Sequence, residues 1–402
     1  MRLLSIKVRN FKVLKDLEMR DIPAFVVTIG ANGTGKSTLI DVFGFLKDCL
    51  VHNVNTAVSR RSGFAQLVSR GQEKENISIE LKVRLRNSVG RQRTVTYSLE
   101  IGERAGKSVV KVERLQWTRS SKGGKPFRFL DYSEGKGTAV VDKFGPDGKA
   151  VPDDQLDREE NDLDAPDILA IKALGQLKRF EEVSQLRELI EGWRVANIVV
   201  DDARSMPDVA PAPHLDDTGK NLALYAQYLR DQHPNIFAEL IRRAGERIPG
   251  LAEVVVEDSG DGRVLMRYRD AAFPKGFIAR AVSDGTVKMF AYLALLADPD
   301  PHPLLCIEEP ENQLYPSLMS VLAEEFAAYA ARRNGDAQVF VTTHSPDFLS
   351  AVPLDSIFWL RKEGGYTKVY RASSDPQLVA FVQDGDKPGW LWRQGLFLGA
   401  NP

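Results

Sequence analysis

The run Gly30-Ala31-Asn32-Gly33-Thr34-Gly35-Lys36-Ser37-Thr38 leaves this chain few folds to choose from. It matches G-x-x-x-x-G-K-[ST], and its surroundings fit. The apolar run Ala24–Ile29 before it reads as a buried strand of a parallel sheet, and KSTLIDVFGFLKDCL after it has apolar residues at helical spacing. Glycines let successive N–H groups converge on phosphate oxygens, and the helix N-terminus adds its positive end. Gly30, Asn32, Gly33, Thr34, Gly35, Lys36, Ser37 and Thr38 are therefore expected to cradle a nucleoside triphosphate. Lys36 would reach the β- and γ-phosphates, and the Ser37 hydroxyl would face Mg²⁺.

Two further strand ends carry chemistry. In PLLCIEEPEN an apolar strand delivers Glu308 and Glu309 to its carboxyl end, where ligands of open α/β sheets bind. Glu308 is expected to hold the metal, and Glu309 to act as general base toward the attacking water. In VFVTTHSP another apolar strand ends at His344, expected to sense the γ-phosphate or the attacking water. Ser283-Asp284-Gly285-Thr286 opens the apolar run VKMFAYLALLA. In isolation it reads as an ordinary helix cap, although a Gly-containing helix N-terminus is also an anion site.

Composition narrows the class. The chain has 402 residues with 54 Lys+Arg against 55 Asp+Glu, so its net charge gives no whole-protein argument for nucleic-acid or membrane binding. Its two cysteines exclude a disulfide framework and point to a reducing compartment. No apolar run reaches the roughly 18 residues of a membrane helix. The N-terminus shows no secretory pattern, and a cytoplasmic protein is expected. The five histidines are scattered and no C-x-x-C occurs, so no Cys/His-type metal site is expected. Residues 60–128 hold 17 Lys/Arg and 6 Asp/Glu, and residues 129–170 hold 4 and 12. Solvated strand faces and a basic face for a polyanion both stay open as readings. A strand or hairpin is expected at 2–20, and strands at 77–85, 93–101, 108–118, 251–257, 263–268, 303–307 and 338–342. Helices are expected over 166–198 and 219–247, and residues 119–165 read as a loop-heavy excursion.

The order of P-loop, S-D-G helix start, E-E-P-E-N and T-T-H-S-P resembles ABC-type ATPases of the SMC/RecF-like branch, and within it the AAA15/AAA21-type predicted ATPases, as an OLD-like ATPase without the Toprim domain. The resemblance spans the first 45 residues and the stretch from Leu215 to Pro353. It implies an α/β P-loop NTPase of ABC ATPase type, with a mixed sheet lobe, an antiparallel β section and an inserted helical subdomain. The expected division is 1–120 and 251–402 for the two parts of the ATPase lobe and 121–250 for the insertion. It also implies ATP and Mg²⁺ as ligands and an ATP-dependent head-to-tail homodimer, with Ser283 and Gly285 reaching the γ-phosphate bound by the other subunit. Turnover would serve a switch for a protein effector in bacterial defence or DNA repair. A RecF-like DNA-binding ATPase using the basic segment 60–128, and a scaffold of little turnover holding a toxin-like partner, are the alternatives. The family's metal position commonly holds Asp where this chain has Glu308. Its lobe-linking glutamine falls on Gln66 or Gln72, and Asp384-Gly385-Asp386 reads as a surface turn.

Overall fold

The computed structural model describes residues 1–86, 92–118, 125–141, 151–152, 155–332 and 337–400. In chain order the strands are β1 (Arg2–Phe11), β2 (Leu14–Met19), β3 (Phe25–Ile29), β4 (Ile77–Arg86), β5 (Gln92–Arg104), β6 (Lys107–Trp117), β7 (Phe127–Ser133), β8 (Lys136–Val140), β9 (Arg158–Asp162), β10 (Arg194–Ala196), β11 (Leu251–Asp258), β12 (Val264–Asp270), β13 (Phe277–Ile278), β14 (Leu304–Glu308), β15 (Gln338–Thr342), β16 (Ile357–Glu363) and β17 (Tyr366–Arg371). Among the described residues they form three sheets. One is antiparallel, in the order β2-β1-β4-β5-β6-β7-β8-β9. The second runs β10-β14-β15-β3-β16-β17, parallel except for the antiparallel β16–β17 pair, and the third is β11-β12-β13.

The parallel sheet is the middle layer, and side-chain alternation shows it. Val26, Leu304, Cys306, Phe340, Phe358 and Leu360 pack on the side of the antiparallel sheet. Their neighbours Val27, Ile29, Leu305, Ile307, Val339, Val341 and Trp359 pack on the other side, with Phe290, Leu293 and Phe326. Burial on both faces explains the continuous apolar runs. Between the two large sheets lies the helix Lys36–Val51, whose Phe43 meets Trp193 edge-on at 5.3 Å and Phe340 at 5.0 Å. Gln338 stitches the layers: its amide accepts from Leu3 N–H at 2.6 Å and donates to the carbonyls of Leu3 (3.0 Å) and Pro23 (3.2 Å).

Several expectations change. The excursion at 119–165 includes β7, β8 and β9, which extend the antiparallel sheet; its residues 119–124, 142–150 and 153–154 lie outside the described residues. The stretch 166–198 divides into short helices, Ala170–Leu174 and Glu181–Glu191, and then β10, which pairs with β14. The helix expected over 219–247 divides at His233, because Pro234 brings no N–H to continue it. The buried Glu113 carboxylate accepts the N–H groups of Ala170 and Ile171 and the Tyr97 hydroxyl, and burial pushes it up to about 7.

Ion pairs meet part of the charge imbalance. Arg114 and Arg128 pair with Asp131 at 2.8 and 3.1 Å, and Arg104 and Lys111 with Glu134 at 2.5 and 2.6 Å. Arg61 bridges Asp41 and Asp48, at 2.7 Å each. Much of the basic segment is thus matched by acids outside it, four of its cations by the acidic segment that follows. Asp384 and Gly385 lie exposed in a turn, and Asp386 follows it half-buried. No helix among the described residues is long and apolar enough to cross a membrane.

Candidate functional site

Parallel register brings three strand ends together. Thr28 of β3, Thr342 of β15 and Glu308 of β14 are partners across the sheet, so the segments following them emerge at one edge. After β3 the chain turns through Gly30 and enters the helix at Lys36. An added Cβ on Gly30 would lie 2.6 Å from the Leu360 carbonyl oxygen. On Gly35, at φ +103°, it would lie 2.6 Å from Thr367 Oγ1. Both positions therefore need glycine. Thr34 anchors the loop from inside: its hydroxyl donates to the Ala31 carbonyl (2.8 Å), and its own carbonyl accepts from Thr367 Oγ1 (2.7 Å).

A cavity of about 400 Å³ opens over this loop. It is lined by Val13, Asn32, Gly33, Gly35, Lys36, Ser37, Thr38, Glu309, His344 and Lys362. The helix beginning at Lys36 has no side-chain cap and no acidic residue in its first turn, so its first N–H groups and positive end are left for an anion. Lys36 Nζ donates to the carbonyls of Gly30 (2.8 Å) and Ala31 (3.3 Å). Burial lowers its pKa, against the pull of Glu309 and Glu311. Ser37 hydrogen-bonds the Glu308 carboxylate, which burial raises above the usual range. This donor set fits a polyphosphate chelated to Mg²⁺: a glycine loop and a lysine for phosphate, a hydroxyl and a carboxylate as oxygen ligands.

Glu309 follows β14 with φ at +41°, in the left-handed region uncommon for a residue with a side chain. Its N–H bonds the Thr342 carbonyl at 2.9 Å, one step past the last strand pair. Its carboxylate accepts from Asn312 Nδ2 at 3.2 Å and lies 3.2 Å from His344 Nε2. Burial, then the Lys36 charge, lowers the His344 pKa against the pull of Glu309. A neutral ring meeting a carboxylate through Nε2 carries its proton there. The backbone N–H of His344 donates to Glu311, whose carboxyl burial raises.

Ser283 and Gly285 lie apart from this cavity. Ser283 caps the helix Asp284–Leu296, accepting from Thr286 N–H at 3.3 Å, and lines a separate depression of about 310 Å³ with Tyr268, Phe277 and Thr286. Gly285 is buried against Tyr315. Gln66 and Gln72 also lie off the cavity lining; Gln66 accepts from Arg70 and Gln72 donates to the Gly71 carbonyl. Lys362 and Thr367 went unmarked in the sequence. They follow the P-loop by more than 300 residues, and their strands carry no motif of their own.

The family described as "AAA domain, putative AbiEii toxin, Type IV TA system" matches residues 25–350, which include every strand end described above. The chain belongs to that family. Among solved structures it is similar to an SMC head bound to the C-terminal winged-helix domain of ScpA, with 13% identity over 92% of this chain and 98% of that one and a TM-score of 0.55. It is also similar to the SMC head domain from Thermotoga maritima (12% identity, 92% and 99% covered, TM-score 0.45). A third is the Smc head from Pyrococcus furiosus bound to the C-terminal domain of ScpA (11% identity, 95% and 99% covered, TM-score 0.48). A search of curated proteins found no match. The first likeness shows the fold to be that of an SMC head domain.

Proposed function

We propose that this chain is a Mg²⁺-dependent ATPase, hydrolysing ATP to ADP and phosphate in a head-to-tail homodimer that switches a protein effector in defence or repair. The observation carrying this reading is the meeting of Lys36, Ser37, Glu308, Glu309 and His344 at one sheet edge. Lys36 and the N–H groups at the start of its helix would bind the β- and γ-phosphates. Ser37 and Glu308 would hold Mg²⁺, which when bound neutralises phosphate charge. Glu309 would accept the proton of the attacking water, and His344 would orient that carboxylate. Ser283 and Gly285 would complete the partner subunit's site, which fits their place outside this chain's own cavity. The effector is proposed by analogy with the winged-helix domain seated on the SMC head, and defence by the toxin–antitoxin description of the family.

The test is Glu309→Gln, followed by light scattering behind size exclusion with and without ATP·Mg²⁺. Nucleotide-driven dimerisation with turnover reduced at least about 100-fold is expected. Wild-type turnover in this variant would remove Glu309 as the base, and a mass indifferent to ATP would remove the sandwich.

A further inference from the structure

On the opposite edge of the parallel sheet, His214, Asp298 and His302 converge. His214 comes from the link before the helix Leu222–Gln232. Asp298 and His302 stand in the loop joining the helix Asp284–Leu296 to β14. Histidines scattered in the sequence are thus brought beside one carboxylate by the fold. His214 Nδ1 lies 2.9 Å and His302 Nε2 3.8 Å from Asp298 Oδ2, and the three donor atoms all fall within 4.8 Å of one another. We infer that these three side chains form a binding site for a divalent transition-metal ion of the zinc class, separate from the Mg²⁺ position at Ser37 and Glu308.

The geometry needs little adjustment. Tetrahedral zinc with ligand bonds near 2.0–2.1 Å holds its donor atoms about 3.3 Å apart, inside the span already present. The Asp298 side chain is 2% exposed; its Oδ1 accepts from the Asp300 N–H at 2.9 Å, and Oδ2 lies against the two imidazoles. His302 Nε2 is buried and has no hydrogen-bond partner, a state buried polar atoms rarely keep. Outer contacts fix the ligands: Asp300 aims the carboxylate, and Asn221 Nδ2 donates to the His214 carbonyl at 2.9 Å.

Chemistry selects the ion. Two imidazole nitrogens and one carboxylate oxygen suit zinc-like metals, whereas Mg²⁺ and Ca²⁺ prefer all-oxygen shells. His214 is 43% exposed, which leaves water as the fourth ligand. The neighbouring cations are engaged elsewhere: Lys47 donates to the Trp193 carbonyl at 2.7 Å, and Arg194 pairs with Asp217 at 2.8 Å. Glu188 and Glu191 line a cavity of about 630 Å³ together with Lys47, Arg194, His214 and His302, and offset the charge of the two cations. An ion here ties the 211–217 link to the loop that feeds the strand bearing Glu308, giving it a structural task.

The test uses the untagged full chain, stripped with chelator and titrated with Co²⁺ in excess Mg²⁺, followed by Zn²⁺ competition. One Co²⁺ per chain, with the visible bands of a tetrahedral ion displaced by Zn²⁺, is expected. His214→Ala, at a half-exposed position, should weaken binding at least about 10–100-fold with the circular dichroism unchanged. His302→Gln should do the same, and Ser37→Ala should leave Co²⁺ binding intact. Absence of the bands in the wild-type chain overturns the site. So does equal affinity in the His214→Ala variant, or loss of binding on Ser37→Ala alone.

Discussion

Lys288 donates to the Asn312 carbonyl at 2.7 Å, joining the helix capped by Ser283 to the loop that carries Glu309. The lysine is 3% exposed, and burial pulls it down to about 8 despite the opposing charge of Glu311. A buried ammonium is costly unless it has a structural use. Here it fixes the two segments that the dimer reading places on opposite nucleotides.

Lys288→Met should keep nucleotide affinity and lower turnover about 10-fold, since orientation rather than binding is lost. Its stability has a defined pH signature. The folded pKa lies below the ordinary 10.5, so the unfolded chain takes up the proton first as pH falls. The wild type therefore loses stability relative to the Met variant between pH 10.5 and about 8, by about 3 kcal/mol, and the difference is level below that window. Urea unfolding of both chains across this range measures it, and a pH-independent difference would contradict the assignment.

Lys36→Ala should abolish binding of a fluorescent ATP analogue, by at least about 100-fold. The folded chain should lose only about 1–2 kcal/mol, the usual range for a lost hydrogen bond. Retained affinity would show that the loop's N–H groups suffice alone.

Thr367→Val keeps the side-chain shape and removes the donor to the Thr34 carbonyl. With Thr34 and Thr367 buried, a drop of about 1–3 kcal/mol in unfolding free energy is expected. An unchanged midpoint in urea would mean that water replaces the hydroxyl.

Phe43→Ala should cost about 3–5 kcal/mol, because the ring is fully buried between Trp193 and Phe340 where the helix meets the sheet. Thermal unfolding reads this directly, and a loss below about 1 kcal/mol would mean that the layers can close the gap.

The P-loop, Glu308, Glu309 and His344 were legible because each sits where an apolar strand stops, and strand and motif are both local. What went unread depended on distant partners. β9 is Arg-Glu-Glu-Asn-Asp, with no apolar residue, and is a strand only because β8 pairs with it. β10 has three residues and owes its strand to β14. His214 and Asp298 stand 84 positions apart, so no spacing rule could join them. The broken helix at His233 was readable in principle, since Pro234 was in view.

The two carbonyls that Lys36 holds, those of Gly30 and Ala31, are themselves part of the loop that wraps the cavity. The ammonium is thus already held by its own loop, and taking a phosphate means exchanging those contacts. A guest must offer the ammonium something better than two neutral dipoles, which a string of charged oxygens does. A bare nucleoside brings only ring nitrogens and hydroxyls to that trade, and the ammonium keeps its carbonyls.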